Sequence, residues 1–364
     1  MKVPYFDLKR QYGLIKREVE LNVIKSLRST QYSLGPEVEL FEKNYSKFVN
    51  SNFCTGVNTG TSALHLALLS CGIGAGDEVI TVSMTFIATI MSITYTGAKP
   101  VFVDVYEDTQ LINYNEIEKK ITSRTKAILV VHLYGQCAEM KKILKIARKY
   151  KLKVIEDSSQ AHGAKHFELN AGSIGDVGTF SFYPGKNLGA GGEGGAITTN
   201  DKNIFKKVNE LRNWSQPKRY YHKEISYNYR MDGIQASILN IKLKYIKKWT
   251  LSRRKIAEFY QSNLYNKKFT LTQEKSHNYH VYHIFSIFSK NSKKLEKYLN
   301  TNGIGTNFHY PVPAHLQKPY LELGYNKNDL PVTEQLSKNQ LSIPIFPEMK
   351  MSEIEYIVQT LNDY

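Results

Sequence analysis

Apolar residues recur at steps of three and four in the first part of the chain, where Val38, Phe41, Tyr45 and Phe48 fall on one side of a 3.6-residue period. Residues 15–49 therefore read as two amphipathic helices. The pattern then changes to short apolar runs separated by helical stretches. A helix opening at Gly60-Thr61 and stopping at Gly72 precedes a strand over Glu78–Ser83, and a helix near Phe86–Thr96, ended by Gly97, precedes a strand over Pro100–Val105. The alternation continues through a strand at Ala127–His132, a helix at Met140–Tyr150, and strands at Lys153–Glu156, Val177–Phe182 and Ala196–Thr199. Strands separated by single helices predict parallel pairing, and the near-continuous apolar runs AILVVHL and VFVDV predict burial on both sheet faces.

After about Lys248 the texture changes. The stretch YHVYHIFSIFS, Tyr279–Ser289, reads as one partly alternating strand, with helices following at Lys293–Asn300 and Ser352–Leu361. The expected organisation is an N-terminal arm over residues 1–14, a large α/β domain with a mostly parallel sheet over 15–247, and a smaller α+β domain over 248–364. A basic helix near Lys242–Arg254 is expected to join the two domains.

Composition narrows the class. With 364 residues, 41% hydrophobic and 23% charged, the chain can bury more than one core and matches a soluble globular protein. No run approaches the roughly 20 apolar residues of a membrane span, and the opening MKVPYFDLKRQYGLIKREVE carries no apolar leader, so a cytoplasmic protein is expected. Cys54, Cys71 and Cys137 are scattered without a CxxC pair, which predicts neither a metal site nor a disulfide framework. The net charge of +16 favours anionic ligands. The lysines are spread along helical stretches such as MKKILKIARKYKLK, which reads as solvated faces, so a nucleotide-linked or phosphorylated small molecule is expected and nucleic acid is not.

Three loops at expected strand ends can carry chemistry. In NTGTSALHLALL a Gly60-Thr61-Ser62 turn opens a helix whose free N–H groups suit a phosphate, or Thr61 or Ser62 is simply its N-cap. In KVIEDSSQAHGA an apolar strand delivers Asp157, with Gln160 and His162 beyond it. That carboxylate is suited to a protonated ring nitrogen or to an ordinary turn, and His162 to a ligand, a base or a hydrogen-bonded core position. In SFYPGKNLGAGGEGGAITTN six glycines surround Lys186, which is either a desolvated nucleophilic amine or a solvated charge on a mobile loop, with Ser181 as a further hydroxyl donor. Together the three supply the parts of a pyridoxal phosphate site: a phosphate grip, a ring-nitrogen partner and a reactive lysine.

These segments, with GDEVITVSMTFIATI, KPVFVDV, YNYRMDGIQAS and FHYPVPAHLQ, resemble in order the signatures of the nucleotide-sugar aminotransferases, the DegT/DnrJ/StrS type of fold-type I pyridoxal phosphate enzymes. The resemblance runs from YFDLKRQY to the final helix. It implies that Lys186 forms the Schiff base with the cofactor, that Asp157 pairs with the pyridine nitrogen, that Gln160 lies near the ring 3-oxygen, and that Phe86 stacks on the ring. It further implies that Gly60, Thr61 and Ser181 bind the phosphate, that Asn228 reaches the phosphate of the neighbouring subunit in a homodimer with shared sites, and that Tyr183 and His309 lie near the nucleotide sugar. L-glutamate is the implied amino donor. Gln160 stands where many C4 aminotransferases have histidine, and the QAHGA and FYPGKNLGA segments resemble the branch that aminates C3 of dTDP-linked 3-keto-6-deoxyhexoses for surface glycans. C4 amination of a UDP- or GDP-linked sugar, or an inert basic binding protein on the same fold, is the alternative. Two positions depart from the common pattern: Glu193 stands where Asp is frequent, and Gly233 where Glu is common.

Overall fold

The computed structural model describes residues 1–364. Two helices, α1 (Leu8–Ser29) and α2 (Pro36–Val49), lead into β1 (Phe53–Val57), α3 (Gly60–Ser70), β2 (Glu78–Val82), α4 (Ala88–Tyr95) and β3 (Lys99–Val103). A short α5 (Tyr114–Ile117), β4 (Thr125–Val131), α6 (Met140–Tyr150) and β5 (Lys153–Asp157) follow, then the two-residue β6 (Lys165–His166) and β7 (Leu169–Asn170), β8 (Val177–Ser181) and β9 (Gly195–Thr199). The chain continues through α7 (Lys202–Arg212), α8 (Gly233–Leu243), α9 (Ile246–Asn263), β10 (Thr270–Leu271), β11 (Asn278–Tyr279) and β12 (Phe285–Phe288). It closes with α10 (Ser292–Thr301), α11 (Pro331–Asn339), β13 (Gln340–Ile343) and α12 (Met351–Asp363). No helix is long and apolar enough to cross a membrane.

Seven strands form the main sheet in the order β1-β9-β8-β5-β4-β2-β3. The pairs β3–β2–β4–β5–β8 are parallel, as the alternation of runs and helices predicts, and Ala127–Val131 of β4 are buried on both faces. The last two strands differ from that expectation. With no helix between β8 and β9, the glycine loop returns the chain antiparallel beside β8, and β1, which the sequence pattern does not mark as a strand, closes the edge antiparallel to β9. A separate antiparallel sheet, β10-β12-β13, packs with α9, α10 and α12 around Tyr260, Phe285, Ile287, Leu299 and Leu341.

Several expected boundaries move. Residues 8–14, expected in an arm, are the start of α1, while Val3 pairs with Ile304 and joins the second core. The single basic helix expected over Lys242–Arg254 is two helices, with α8 ending at Leu243 and α9 beginning at Ile246; the expected change of texture at Lys248 falls in the first turn of α9. The strand expected over Tyr279–Ser289 is interrupted, because Val281 and His283 donate their backbone N–H groups to Gly135 and Tyr134 instead of to a strand.

The register of β5 positions the chemistry. Successive strand residues face opposite sides, so Glu156 and Asp157 point to different environments. Glu156 is fully buried and accepts hydrogen bonds from Gly172 N (2.9 Å), Ile174 N (2.8 Å), Gly175 N (2.7 Å) and His132 Nε2 (2.9 Å). The His132 Nδ1 accepts from Ala138 N, which leaves the proton on Nε2. Replacing Glu156→Ala strands four donors, those of Gly172 and His132 buried and those of Ile174 and Gly175 half-buried, with an expected loss of about 3–5 kcal/mol in urea unfolding. A loss below about 0.5 kcal/mol would contradict this role for the carboxylate.

Candidate active site

The carboxyl ends of three adjacent strands, Val131 of β4, Asp157 of β5 and Ser181 of β8, open into one cavity of about 790 Å³. Gly60 and Thr61 at the start of α3, Phe86 before α4, and Gln160, Tyr183 and Lys186 line it too, and His309 and Tyr310 close it from the other side. Nine of the ten residues singled out in the sequence therefore share one cavity. The tenth, Asn228, is not part of its wall in the single chain; it bridges to Asn213 on a segment that runs elsewhere.

The Asp157 carboxylate is buried and fixed from two sides, by the Thr89 hydroxyl (2.8 Å) and the Ser159 N–H (3.2 Å). Lys186 reaches the same space from the loop after β8. Burial pushes its amine down from 10.5 to about 8, against the attraction of Asp157, which raises it. Lys186 forms no ion pair, so desolvation outweighs the nearby charge. The alternative of a solvated lysine on a mobile loop does not hold for this side chain. Asn187, next in sequence, anchors the loop by donating to Val281 O (3.0 Å) and meeting His283 Nδ1 (3.2 Å).

At the start of α3 the chain leaves no room for side chains. A Cβ on Gly60 would stand 2.5 Å from Ser181 Cβ, and one on Gly195 would stand 2.2 Å from Thr59 O. The start of α3, the end of β8 and the start of β9 thus meet backbone to backbone, which only glycine permits. The N-cap is Thr59, whose hydroxyl accepts from Ser62 N (3.0 Å). Thr61 and Ser62, the expected caps, lie inside the first turn, so the Thr61 N–H and hydroxyl are free of that duty.

Phe86 lines the cavity and is 54% exposed, with Tyr310 at 5.9 Å between ring centres. Gln160 is held at both ends, accepting from Tyr134 N (2.7 Å) and donating to the Tyr310 hydroxyl (3.0 Å). His309 packs on Tyr5 and meets Ser342 Oγ at 2.8 Å; burial pushes its pKa down to about 4, which leaves it neutral. His162 is a core histidine, fixed between the Tyr45 hydroxyl (2.7 Å) and Ser181 O (2.9 Å), with burial pushing its pKa down to about 3. Of the three readings open to it, the hydrogen-bonded core position is the one it takes.

Sequence reasoning missed Tyr5, Thr89, Arg253, His283 and Tyr310 in the cavity wall. Thr89 had a readable signal, a hydroxyl one helical turn into the segment after Phe86. The others come from distant parts of the chain and carry no local mark.

The model of the DegT/DnrJ/EryC1/StrS aminotransferase family matches residues 14–362, and the chain belongs to that family. It is 42% identical to a dTDP-3-amino-3,6-dideoxy-alpha-D-galactopyranose transaminase of Aneurinibacillus thermoaerophilus, over 100% of this chain and 99% of that one. It is 40% identical, over 100% and 99%, to a Geobacillus stearothermophilus protein called a pleiotropic regulatory protein. Its fold superposes with a TM-score of 0.97 on S. venezuelae DesV in complex with a ketimine intermediate, at 36% identity, covering 100% of this chain and 98% of that one.

The depressed Lys186 pKa is directly measurable. Acylation of Lys186 in the cofactor-free protein, followed by peptide mass mapping against pH, should have its midpoint near pH 8. Asp157→Asn removes the attraction that raises the value and should move the midpoint down. Because the folded pKa lies below the unfolded one, this lysine's contribution to stability grows as pH rises from about 8 toward 10.5. A midpoint at the ordinary lysine value, or an upward shift in Asp157→Asn, would overturn the assignment.

Proposed function

We propose that this aminotransferase moves the amino group of L-glutamate to C3 of a dTDP-linked 3-keto-6-deoxyhexose, giving a dTDP-3-amino-3,6-dideoxyhexose for surface glycan assembly. Its cofactor is pyridoxal phosphate and its substrates are nucleotide sugars. One observation carries the reading: a lysine with a burial-depressed pKa and a buried, doubly held carboxylate line the same cavity at neighbouring strand ends. The C3 and dTDP assignments draw on the likeness to the Aneurinibacillus transaminase and on Gln160 standing where many C4 enzymes carry histidine.

The cavity fits the cofactor. Its glycine junction leaves backbone N–H groups within reach of a phosphate, Phe86 offers an uncovered ring face, and Lys186 has no ion-pair partner. In this reading Lys186 holds the cofactor covalently, Asp157 its ring nitrogen, Gln160 the ring 3-oxygen side, Phe86 a ring face, and Gly60, Thr61 and Ser181 the phosphate. When bound, pyridoxal phosphate supplies a carbon that receives and returns the amino group and a ring that accepts the electron pair left by a broken Cα–H bond. The Asp157 carboxylate, buried and oriented by Thr89 and Ser159, would keep a ring N–H charged. Once the donor's amine has displaced the Lys186 nitrogen from the cofactor, the freed Lys186 amine would take the proton from the donor's α-carbon and return it to the cofactor carbon that carries the donor's nitrogen; in the second half-reaction it would run the transfer backward. Tyr183 and His309 would meet the nucleotide sugar at the mouth, where Tyr183 is 54% exposed.

Asn228 enters this site only through a second copy of the chain. The single chain leaves Leu14, Leu21, Ile24 and Leu27 of α1 exposed, and beside Asn228 it leaves Trp214, Tyr220, Tyr221 and Ile225 uncovered, the last at 94%. Apolar exposure on that scale supports a homodimer interface around the segment that carries Asn228.

Adding L-glutamate to the cofactor-loaded protein should convert the bound cofactor to its amine form and release 2-oxoglutarate. A panel of nucleotide keto-sugars read by mass spectrometry should then give product from dTDP-linked 3-keto-6-deoxyhexose. An unchanged spectrum would refute transamination from glutamate, as a regulator without turnover requires, and product only from 4-keto or UDP-linked sugars would refute the finer assignment. If active sites are shared, mixing inactive Lys186→Ala with inactive Asn228→Ala should restore part of the activity by forming one intact site per mixed dimer. No recovery after subunit exchange would contradict the sharing.

A further inference from the structure

Arg253 projects from α9 into the wall of the same cavity, although it belongs to the helix that packs on the second sheet. It is only 7% exposed, yet its guanidinium has no carboxylate partner. Several other arginines do: Arg212 meets Glu42 at 2.5 Å, Arg10 meets Glu353 at 2.7 Å, and Arg254 meets Glu274 at 2.7 Å, while Arg230, whose Nε is also buried without a partner, meets only Asn213 and does not line the cavity. All of the hydrogen bonds that Arg253 donates leave from Nη1, to Ile345 O (2.7 Å), Tyr282 O (3.1 Å) and His283 O (3.4 Å). Its Nε is buried without a partner and Nη2 makes no bond within the chain. The Nε–Nη2 edge, a pair of parallel N–H donors shaped for a carboxylate, is left unsatisfied in a cavity wall.

We infer that Arg253 binds a carboxylate of the amino donor through this unpaired edge. The inference rests on the aminotransferase reading and specifies how the donor is recognised. Neither carboxylate of the cavity lining pairs with Arg253. Among the cavity-lining residues the charged groups are Lys186, Arg253, Asp157 and Glu193, while His283 and His309 are held neutral by burial. Glu348 is the carboxylate whose charge Arg253 feels most, but the two form no ion pair and Glu348 Oε1 is itself unpaired. A buried cation without a counter-charge is costly, and an incoming carboxylate removes that cost. The position also matches the donor's shape. Arg253 donates to His283 O (3.4 Å), and His283 lines the cavity with Lys186, so a molecule whose nitrogen takes the place of the Lys186 amine can direct its neighbouring carboxylate to Arg253. A phosphate is the other anion in play, but the glycine junction at the start of α3 provides its grip from the opposite domain.

The test uses the cofactor-loaded protein and Arg253→Lys, which keeps the cation and loses the fork. Affinity for L-glutamate in single-turnover amine transfer, and for glutarate by calorimetry, should fall roughly 30- to 100-fold, with the KM of the nucleotide keto-sugar within about threefold of wild type. Unchanged glutamate and glutarate affinity would overturn the inference, as would a loss confined to the nucleotide sugar, which would make Arg253 a phosphate ligand. Wild-type protein that binds glutarate through Arg253 but takes no amine from glutamate would sink the donor reading and leave the carboxylate site standing. Should Arg253→Lys not fold, protection of Arg253 in the wild type against phenylglyoxal by glutarate, read by peptide mass mapping, decides the matter: protection is expected, and its absence refutes the site.

Discussion

A lysine enclosed by protein next to a carboxylate is pulled two ways, and at Lys186 burial prevails over the attraction of Asp157. That balance is the constraint the rest of the site serves. A lysine left in water would stay protonated and inert near neutral pH, and one tied in a tight ion pair would be held more firmly still. Here the carboxylate is turned toward Thr89 and Ser159, close enough to be felt and too occupied to neutralise the amine. The result is an amine that can exchange protons near pH 8 inside the cavity.

The fold supplies this arrangement through register. Val131 of β4 pairs with Asp157 of β5, and Asp157 with Thr179 of β8, so three strand ends present their chemistry at one level. Glu156, one residue earlier and on the other face, ties the strand to the turn at Gly172–Gly175 and to His132. A slip of one residue would exchange the two carboxylates. The antiparallel return through β9 then brings Gly195 against Thr59, which closes the phosphate end.

Much of this was legible in the sequence because it is local. Apolar runs separated by helical stretches gave the parallel strands, and Gly60, Asp157, Gln160, Ser181 and Lys186 each stand at a strand end or helix start marked by its own neighbours. The antiparallel edge was not legible: β1 is a five-residue FCTGV segment stabilised by pairing with a strand more than a hundred residues later. The break in the expected strand at Tyr279–Ser289 depends on backbone acceptors at Tyr134 and Gly135, which no local pattern reports. Arg253, His283 and Tyr310 likewise become cavity residues only when the second domain packs against the first. The role expected of Asn228 needs a second chain, and in this one Asn228 is not part of the cavity wall.

The central claim is that Lys186, and no other amine, holds the cofactor. The fold contains a natural control in Lys242, which burial also pushes down to about 8 but which donates to Gly189 O (2.8 Å) and does not line the cavity. Borohydride reduction of the pyridoxal phosphate-loaded protein, followed by peptide mass mapping, tests the claim most directly. The account predicts one reduced pyridoxyl adduct per chain, on the peptide containing Lys186. An adduct on Lys242, or one spread over several surface lysines, would contradict it.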